Sequence, residues 1–260
     1  MVKNGKEVRP LLLTVDVGNT STGVAVFRED RIVFRKRMPT PVSFRPQMLQ
    51  ALVRPGRVQS ITAVIVSSVV PPVDSSLVRC IRSLWNVRPL VLDHCTHTGI
   101  TLKIDHPAEL GADRIADAAG ALRFFSPPLM VIDSGTATTF DLINRKREYV
   151  GGCILPGVEI AVRSLAENAA RLKQIHFAVP TSVLGSNTVD CIRAGIYYGT
   201  IGTLSHLIGE YKKIIGRNAR VIATGGLIRF FRGKIPGIDL FEPDLIFYGL
   251  KAIHDRHDKG

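Results

Sequence analysis

Asp16–Val17–Gly18–Asn19–Thr20 is a stretch of residues that can hold phosphate. Gly18 supplies the backbone freedom of a tight turn, and such a turn exposes N–H groups able to bind an anion. Asn19, Thr20, Ser21 and Thr22, running on to Gly23, add neutral donors that a phosphate chain can use. Asp16, at the end of an apolar run, can hold Mg²⁺ directly or through water, because Mg²⁺ prefers oxygen ligands and keeps several waters. The same residues also make an ordinary turn. Recurrence favours the phosphate chemistry: Asp133–Ser134–Gly135–Thr136 repeats the pattern 117 residues later. A phosphate chain clamped between two lobes needs two such turns.

Gly111–Ala112–Asp113–Arg114 offers acid–base chemistry at the start of a helical pattern. Asp113 in a first helical turn can accept a proton from a substrate hydroxyl while Arg114 grips polar groups of that substrate. It can equally compensate the helix dipole, with Arg114 paired to Asp117 or Glu109. Gly225–Gly226 and Gly151–Gly152 either admit a flat ring or a ribose close to the backbone or simply make turns. The seven histidines show no metal spacing: His94 and His97 flank Cys95 in a loop, and His254 and His257 decorate a terminal helix. Gly-x-Ser-x-Gly, Walker-type Gly-Lys-Ser/Thr and Gly-x-Gly-x-x-Gly do not occur, which removes support for a hydrolase elbow, a P-loop or a dinucleotide site.

The elements that position these residues follow from the apolar spacing. Leu11–Val15 and Val24–Phe27 form a hairpin around the first Asp-x-Gly turn, and Leu129–Ile132 and Phe140–Ile143 form another around the second. Ala63–Val70 is a β-branched strand ended by Pro71–Pro72, and Asp74–Trp85 is an amphipathic helix. Helices are expected over Gly111–Phe125, Val158–Leu172, Asn187–Ile215 (one, or two joined near Gly199–Gly202) and Asp244–His257, with a buried strand at Val221–Thr224. Pro127–Pro128 marks a boundary between residues 1–127 and 128–260. The fold class is α/β: two lobes with mixed β-sheets flanked by helices and a cleft between them.

The chain has 260 residues, 45% hydrophobic and 22% charged, which excludes disorder, collagen-like repeats and coiled coil. Lys and Arg number 34 against 22 Asp and Glu, a net charge of +12 that suits an anionic partner. The basic residues are scattered, and the densest group, Arg28 to Arg37, contains Glu29 and Asp30, so a solvated surface also accounts for them. Without an aromatic–basic stripe or a recognition-helix pattern, no nucleic-acid partner is expected. Cys80, Cys95, Cys153 and Cys191 lie far apart, with no C-x-x-C. Asp16 interrupts the first apolar run too early for a signal core, and no stretch reaches the ~18 apolar residues of a membrane span. A cytoplasmic protein with no membrane partner is expected.

In order, Asp16-Val-Gly-Asn-Thr, Val66-Ser-Ser-Val-Val-Pro-Pro, Gly111-Ala-Asp-Arg, Asp133-Ser-Gly-Thr-Ala-Thr-Thr, Gly151-Gly-Cys-Ile-Leu-Pro-Gly, Gly185-Ser-Asn-Thr, Gly195-Ile-Tyr-Tyr-Gly and Ala223-Thr-Gly-Gly resemble the motifs of the type III pantothenate kinases, members of the acetate kinase, sugar kinase, Hsp70 and actin superfamily. The resemblance runs from Leu11 to about His257. It implies two ribonuclease H-like lobes, a homodimer and ATP-dependent phosphorylation of pantothenate. By resemblance, ATP contacts fall on Asp16, Val17, Gly18, Asn19, Thr20, Ser21, Thr22, Gly23 and Thr136. Substrate contacts fall on Gly111, Ala112, Asp113, Arg114 and Thr188, with Asp113 as proton acceptor. A monovalent cation, K⁺ or NH₄⁺, falls on Asp133, beside Mg²⁺ at Asp16. Ser134 stands where an apolar or aromatic residue is common, and Ile104 where many members have a Tyr near the substrate. The rival readings are a kinase of another small alcohol and a nucleic-acid-binding or regulatory protein on a degenerate kinase fold.

Overall fold

The first apolar run becomes strand β1 (Leu11–Val17), buried at every residue. A strand covered on both faces needs no polar alternation, so the run reads as continuous. In this computed structural model, which describes residues 10–53, 61–167 and 175–258, β1 pairs antiparallel with β2 (Ser21–Arg28), and β2 with β3 (Arg31–Pro39). After α1 (Pro46–Val53), β4 (Ile61–Ser68) returns parallel to β1. After α2 (Pro71–Trp85), β5 (Leu90–Val91) runs parallel to β4. The sheet order is β3-β2-β1-β4-β5. Val15, Val17, Val24 and Val66 share one core with Leu49 and Leu52 of α1 and Leu77 and Ile81 of α2. Pro71 and Pro72 do end the strand, and they do so by opening α2. The N–H that proline lacks has no helical partner at that position.

A short strand β6 (Thr101–Leu102) and helix α3 (Ala112–Phe124) precede a second meander, β7 (Leu129–Ser134), β8 (Ala137–Ile143) and β9 (Glu148–Pro156). Then come α4 (Val158–Glu167), α5 (Thr188–Ile215), β10 (Arg220–Thr224), β11 (Leu240–Phe241) and α6 (Leu245–His257). β10 returns parallel to β7 and β11 parallel to β10, so the order is β11-β10-β7-β8-β9-β6. With β6 set aside, the second sheet repeats the first strand for strand. The duplication signalled by two Asp-x-Gly hairpins is therefore a duplication of the whole sheet.

α5 is one helix of 28 residues, with Gly199 and Gly202 inside it. Asn187 caps it by accepting from Asp190 N at 3.0 Å, satisfying a donor that the first turn leaves without a helical partner. Its Tyr197, Leu204 and Ile208 fill the second core, and Ile196, Ile201 and Leu207 pack against it. Residues 168–172 of the expected fourth helix lie outside the described residues.

Internal contacts divide the chain into two units: Met1–Gly99 with His106–Arg123 and Ile246–Gly260, and Ile100–Asp105 with Phe124–Leu245. The expected division at residues 127 and 128 differs from this at three segments: residues 100–105, 124–127 and 246–260. Residues 100–105 join the second unit because β6 pairs with β9. Most of α6 joins the first: Tyr248 packs edge-on against Phe27 of β2, with ring centroids 5.8 Å apart. A Cβ on Gly249 would lie 1.8 Å from Ala116 O and 2.9 Å from Gly120 N, so α6 and α3 touch backbone to backbone. Chain position alone does not reveal which sheet a terminal helix covers.

Candidate active site

Asp16 and Val17 are the last residues of β1, and Ser21, Thr22 and Gly23 already belong to β2. The turn proper is Gly18–Asn19–Thr20. Gly18 N donates to Ser21 O at 3.1 Å, and Asn19 and Thr20 stand exposed. Thr40, just past β3, braces it: its Oγ1 donates to Gly18 O at 2.6 Å, and its N–H donates to Thr20 O at 3.1 Å. Tying both carbonyls holds the turn in one shape, which a backbone anion site requires.

Asp16 lies on the face of the first sheet opposite α1 and α2. The register places Gly23 beside it on β2, Arg37 beside Gly23 on β3, and Ser67 beside it on β4. Gly23 leaves that row open. A Cβ there would come within 3.1 Å of Arg37 Nη1 and 3.0 Å of Phe247. Arg37 instead crosses the gap, lies over the Phe247 ring at 5.4 Å, and reaches Asp16 Oδ2 at 3.4 Å. Burial pushes the Asp16 carboxyl from 3.8 up to about 6; Arg37 opposes the rise and the nearby charge of Asp113 adds to it.

Asp113 lies in the first turn of α3, as the sequence implies. Its Oδ1 accepts from Arg114 N at 2.8 Å, and Gly111 runs past Val69 at the end of β4. Burial raises its carboxyl above the usual range, while the Arg114 N–H and the Arg114 charge pull it back. The phosphate-type turn and the acid–base helix start therefore belong to one unit, with their two carboxylates in electrostatic contact. Ala112 is buried behind Asp113, and Gly111 and Arg114 are half-buried.

The second unit carries Asp133, Thr136 and Thr188. Asp133 is the penultimate residue of β7, opposite Thr139 on β8 and Thr224 on β10. Thr136 is exposed in the two-residue hairpin turn, where Gly135 N donates to Ala137 O at 2.9 Å. Gly225 turns at φ +92°, and a Cβ on it would lie 2.3 Å from Asp133 Oδ1 and 2.4 Å from Ser134 O. A side chain there is excluded by both conformation and space. The first glycine of the Gly225–Gly226 pair thus serves the packing around Asp133, while a Cβ on Gly226 would meet nothing within 4 Å. Thr188 is exposed as the first residue of α5, and Ile104 lies in this unit against Gly151.

Sequence reading missed Arg37, Thr40 and Phe247. Arg37 sat within the basic group read as a solvated surface. The available signal was the alternation of Ile32, Phe34 and Met38, which marks β3 and turns Arg37 to the other face.

The model of a family described as type III pantothenate kinase matches residues 12–210. A type III pantothenate kinase of Myxococcus xanthus is 36% identical over 253 residues, covering 95% of this chain and 99% of that protein. Among solved structures, MreB5 of Spiroplasma citri bound to ADP aligns with a TM-score of 0.55 at 9% identity, over 96% of this chain and 98% of its own. Component A of the Acidaminococcus fermentans (R)-2-hydroxyglutaryl-CoA dehydratase aligns at 0.54 and 13% identity, over 95% and 99%. Those two share the fold alone. The match in sequence spans both duplicated sheets and goes further: the chain belongs to the type III pantothenate kinase family, which transfers a phosphoryl group from ATP to pantothenate in the first step of coenzyme A biosynthesis.

Proposed function

We propose that Asp113 is the proton acceptor of this reaction and Asp16 the carboxylate that holds Mg²⁺, directly or through water. The observation that carries this reading is the pairing of two carboxylates within one unit, Asp16 buried on a strand end beside an exposed turn and Asp113 half-buried on a helix start, near enough for the charge of Asp113 to act on Asp16. Phosphoryl transfer asks a protein mainly for alignment and charge neutralisation. The turn Gly18–Thr20, with Asp16, Val17, Ser21, Thr22 and Gly23 around it, aligns the phosphates, and Thr136 adds an ATP contact. Gly111, Ala112, Arg114 and Thr188 hold pantothenate. Asp113 takes the proton of the primary hydroxyl as that oxygen bonds to the γ-phosphorus and the bond to the ADP oxygen breaks.

The donor chemistry fits the cations. Asp16 accepts a hydrogen bond of 3.4 Å from Arg37, and its remaining lone pairs suit a hard ion. A divalent cation, when bound, neutralises charge on the β- and γ-phosphates. At Asp133, a carboxylate oxygen and the Ser134 carbonyl converge on Gly225, an all-oxygen set that suits K⁺ or NH₄⁺.

A homodimer follows from the outer face of α5. Gly195, Gly199, Gly202 and Gly209 lie along it with Tyr198 and His206, all exposed, and a Cβ on any of the four glycines would meet nothing within 4 Å. Small residues let a second helix approach closely. Among the described residues no helix is long and apolar enough to cross a membrane, and the reading places the enzyme in the cytoplasm with ATP and pantothenate as its partners and no nucleic acid.

Four outcomes test this. Asp113→Asn keeps the fold and lowers turnover by on the order of 10²–10⁴; near-normal turnover in a folded variant returns Asp113 to helix capping. Asp16 binds its proton more tightly folded than unfolded, so its contribution to the stability of the unliganded protein falls as pH rises from about 4 to about 6. Asp16→Asn abolishes turnover yet gains stability over wild type across that interval, by roughly 3 kcal/mol at neutral pH; parallel urea midpoints at pH 4.5 and 7.5 would contradict it. Turnover requires K⁺ or NH₄⁺, and Asp133→Ala loses that response; full activity in Na⁺ alone refutes the assignment. Tyr198→Glu sediments as a monomer with poor pantothenate turnover, and a wild-type monomer with full activity ends the dimer reading.

A further inference from the structure

The Val66-Ser-Ser-Val-Val-Pro-Pro motif has a residue that the reaction so far leaves unused. Its two serines face opposite ways, as alternate residues of β4 must. Ser68 lies on the core side with Val64 and Val66. Its Oγ donates to Asp74 Oδ1 at 2.5 Å and accepts from Val70 N at 3.2 Å, closing the turn into α2. Ser67 lies on the other face. It is completely buried, and its Oγ has no hydrogen-bond partner among the described residues. A buried hydroxyl left without a partner is destabilising, and alanine would fill nearly the same space without that penalty. Packing therefore does not explain a serine here.

Its neighbour does. The parallel register sets Ser67 directly beside Asp16, one strand spacing away, about 4.8 Å, with both side chains on one face. Asp16 is itself poorly supplied: a buried carboxylate that accepts a long hydrogen bond, 3.4 Å, from an Arg37 on its opposite side. An unused donor and an undersupplied acceptor stand side by side. The second sheet repeats the arrangement, with Thr224 in the same register position beside Asp133. In both sheets a hydroxyl side chain faces the terminal Asp across the parallel pair.

We propose that Ser67 is a positioning residue for phosphoryl transfer: in the nucleotide-bound enzyme its hydroxyl donates to the Asp16 carboxylate and fixes which oxygen lone pairs face the divalent cation. Asp16 turns from Arg37 on one side toward Ser67 on the other, exchanging a long contact for an O–H···O bond of about 2.7 Å. This inference rests on the assignment of the divalent cation to Asp16, and its test separates the two.

The test measures ATP binding by calorimetry, with Mg²⁺ and with EDTA, in wild type, S67A, S67T and D16N. The Mg²⁺ half-saturation of turnover is measured for wild type and the two Ser67 variants, and thermal melts are recorded for the unliganded proteins. S67A should melt at or above wild type, because it deletes a hydroxyl without a partner. It should weaken Mg·ATP binding and raise the Mg²⁺ half-saturation by roughly tenfold or more, the range of a hydrogen bond to a charged group. ATP binding in EDTA should not change. S67T, which keeps the hydroxyl, should restore the Mg²⁺ midpoint to within about threefold of wild type, by the same reasoning. A wild-type Mg²⁺ midpoint and Mg·ATP affinity in S67A overturn the proposal, as does a lowered melting point, which would make the hydroxyl structural. If Mg·ATP binding is unchanged in D16N, the Asp16 assignment itself fails; if D16N weakens it and S67A does not, only the role of Ser67 fails.

Discussion

A carboxylate buried at the end of a central strand is the constraint around which the first lobe is arranged. Removing a charge from water costs several kcal/mol unless partners restore what hydration supplied, and β1 fixes Asp16 where, among the described residues, Arg37 is its one hydrogen-bond partner. The compensation comes from two strands away, and every element between must permit it. β2 carries a glycine at the crossing point, β3 supplies the arginine, and α6 supplies the Phe247 ring on which the guanidinium lies. α6 can lie there because Gly249 lets it press backbone to backbone against α3. The same contact anchors α3, which presents Asp113. One ionic contact of 3.4 Å thus links three strands and two helices, and it remains weak enough for a ligand to compete with it.

The duplicated sheet repeats one backbone plan around two carboxylates. In each lobe an Asp closes the first strand of a meander and faces a hydroxyl residue across the parallel pair, Ser67 in one and Thr224 in the other. The antiparallel side differs. Opposite Asp16 stands Gly23, which opens a path for a cation from the edge strand; opposite Asp133 stands Thr139, and β9 beyond it brings no basic side chain into that row. Arg37 partly neutralises the first carboxylate, and the Ser134 backbone carbonyl lies near Gly225 together with the second. That difference in neighbours is consistent with the proposed division between a divalent cation at Asp16 and a monovalent ion at Asp133.

The features legible in the sequence are those set by short-range patterns. Both hairpins, α3, α5 and β10 follow from β-branched runs, Asp-x-Gly turns and helical spacing, and Asp16, Asp113 and Asp133 stand at the element ends where the pattern puts them. What escaped depends on partners distant in the chain. β3 is an edge strand whose outer residues are basic because a paired neighbour on that side is undesirable, so its composition resembles a loop. Arg37 gains its meaning from a register that only the folded sheet defines. The assignment of α6 to the first lobe turns on the contact of Gly249 with Ala116 and Gly120, a fit of shapes that has no local signature. The apolar residues of α5 carry the opposite lesson: a helix so rich in them had a core to fill, and its exposed side is marked by glycine.

Asp16 and Asp113 are the same chemical group in two settings, and the settings separate their work. Burial raises both, but Asp113 sits in the first turn of a helix, where a backbone N–H at 2.8 Å and the partial positive charge of the helix end favour its ionised form. Among the described residues Asp16 has no backbone donor and a single distant guanidinium, and its carboxyl is pushed up to about 6. A carboxylate already supplied by its own helix can stay charged, accept a proton from a hydroxyl and give it up again, which is what a base must do in every turnover. A carboxylate left undersupplied holds its charge best when an external cation completes its shell. Were the two environments exchanged, the base would need a ligand before it could act and the cation would compete with backbone donors for its site. The division between a strand-end Asp and a helix-start Asp therefore follows from the backbone groups available at each kind of terminus, and it supports the proposed assignment of the two roles.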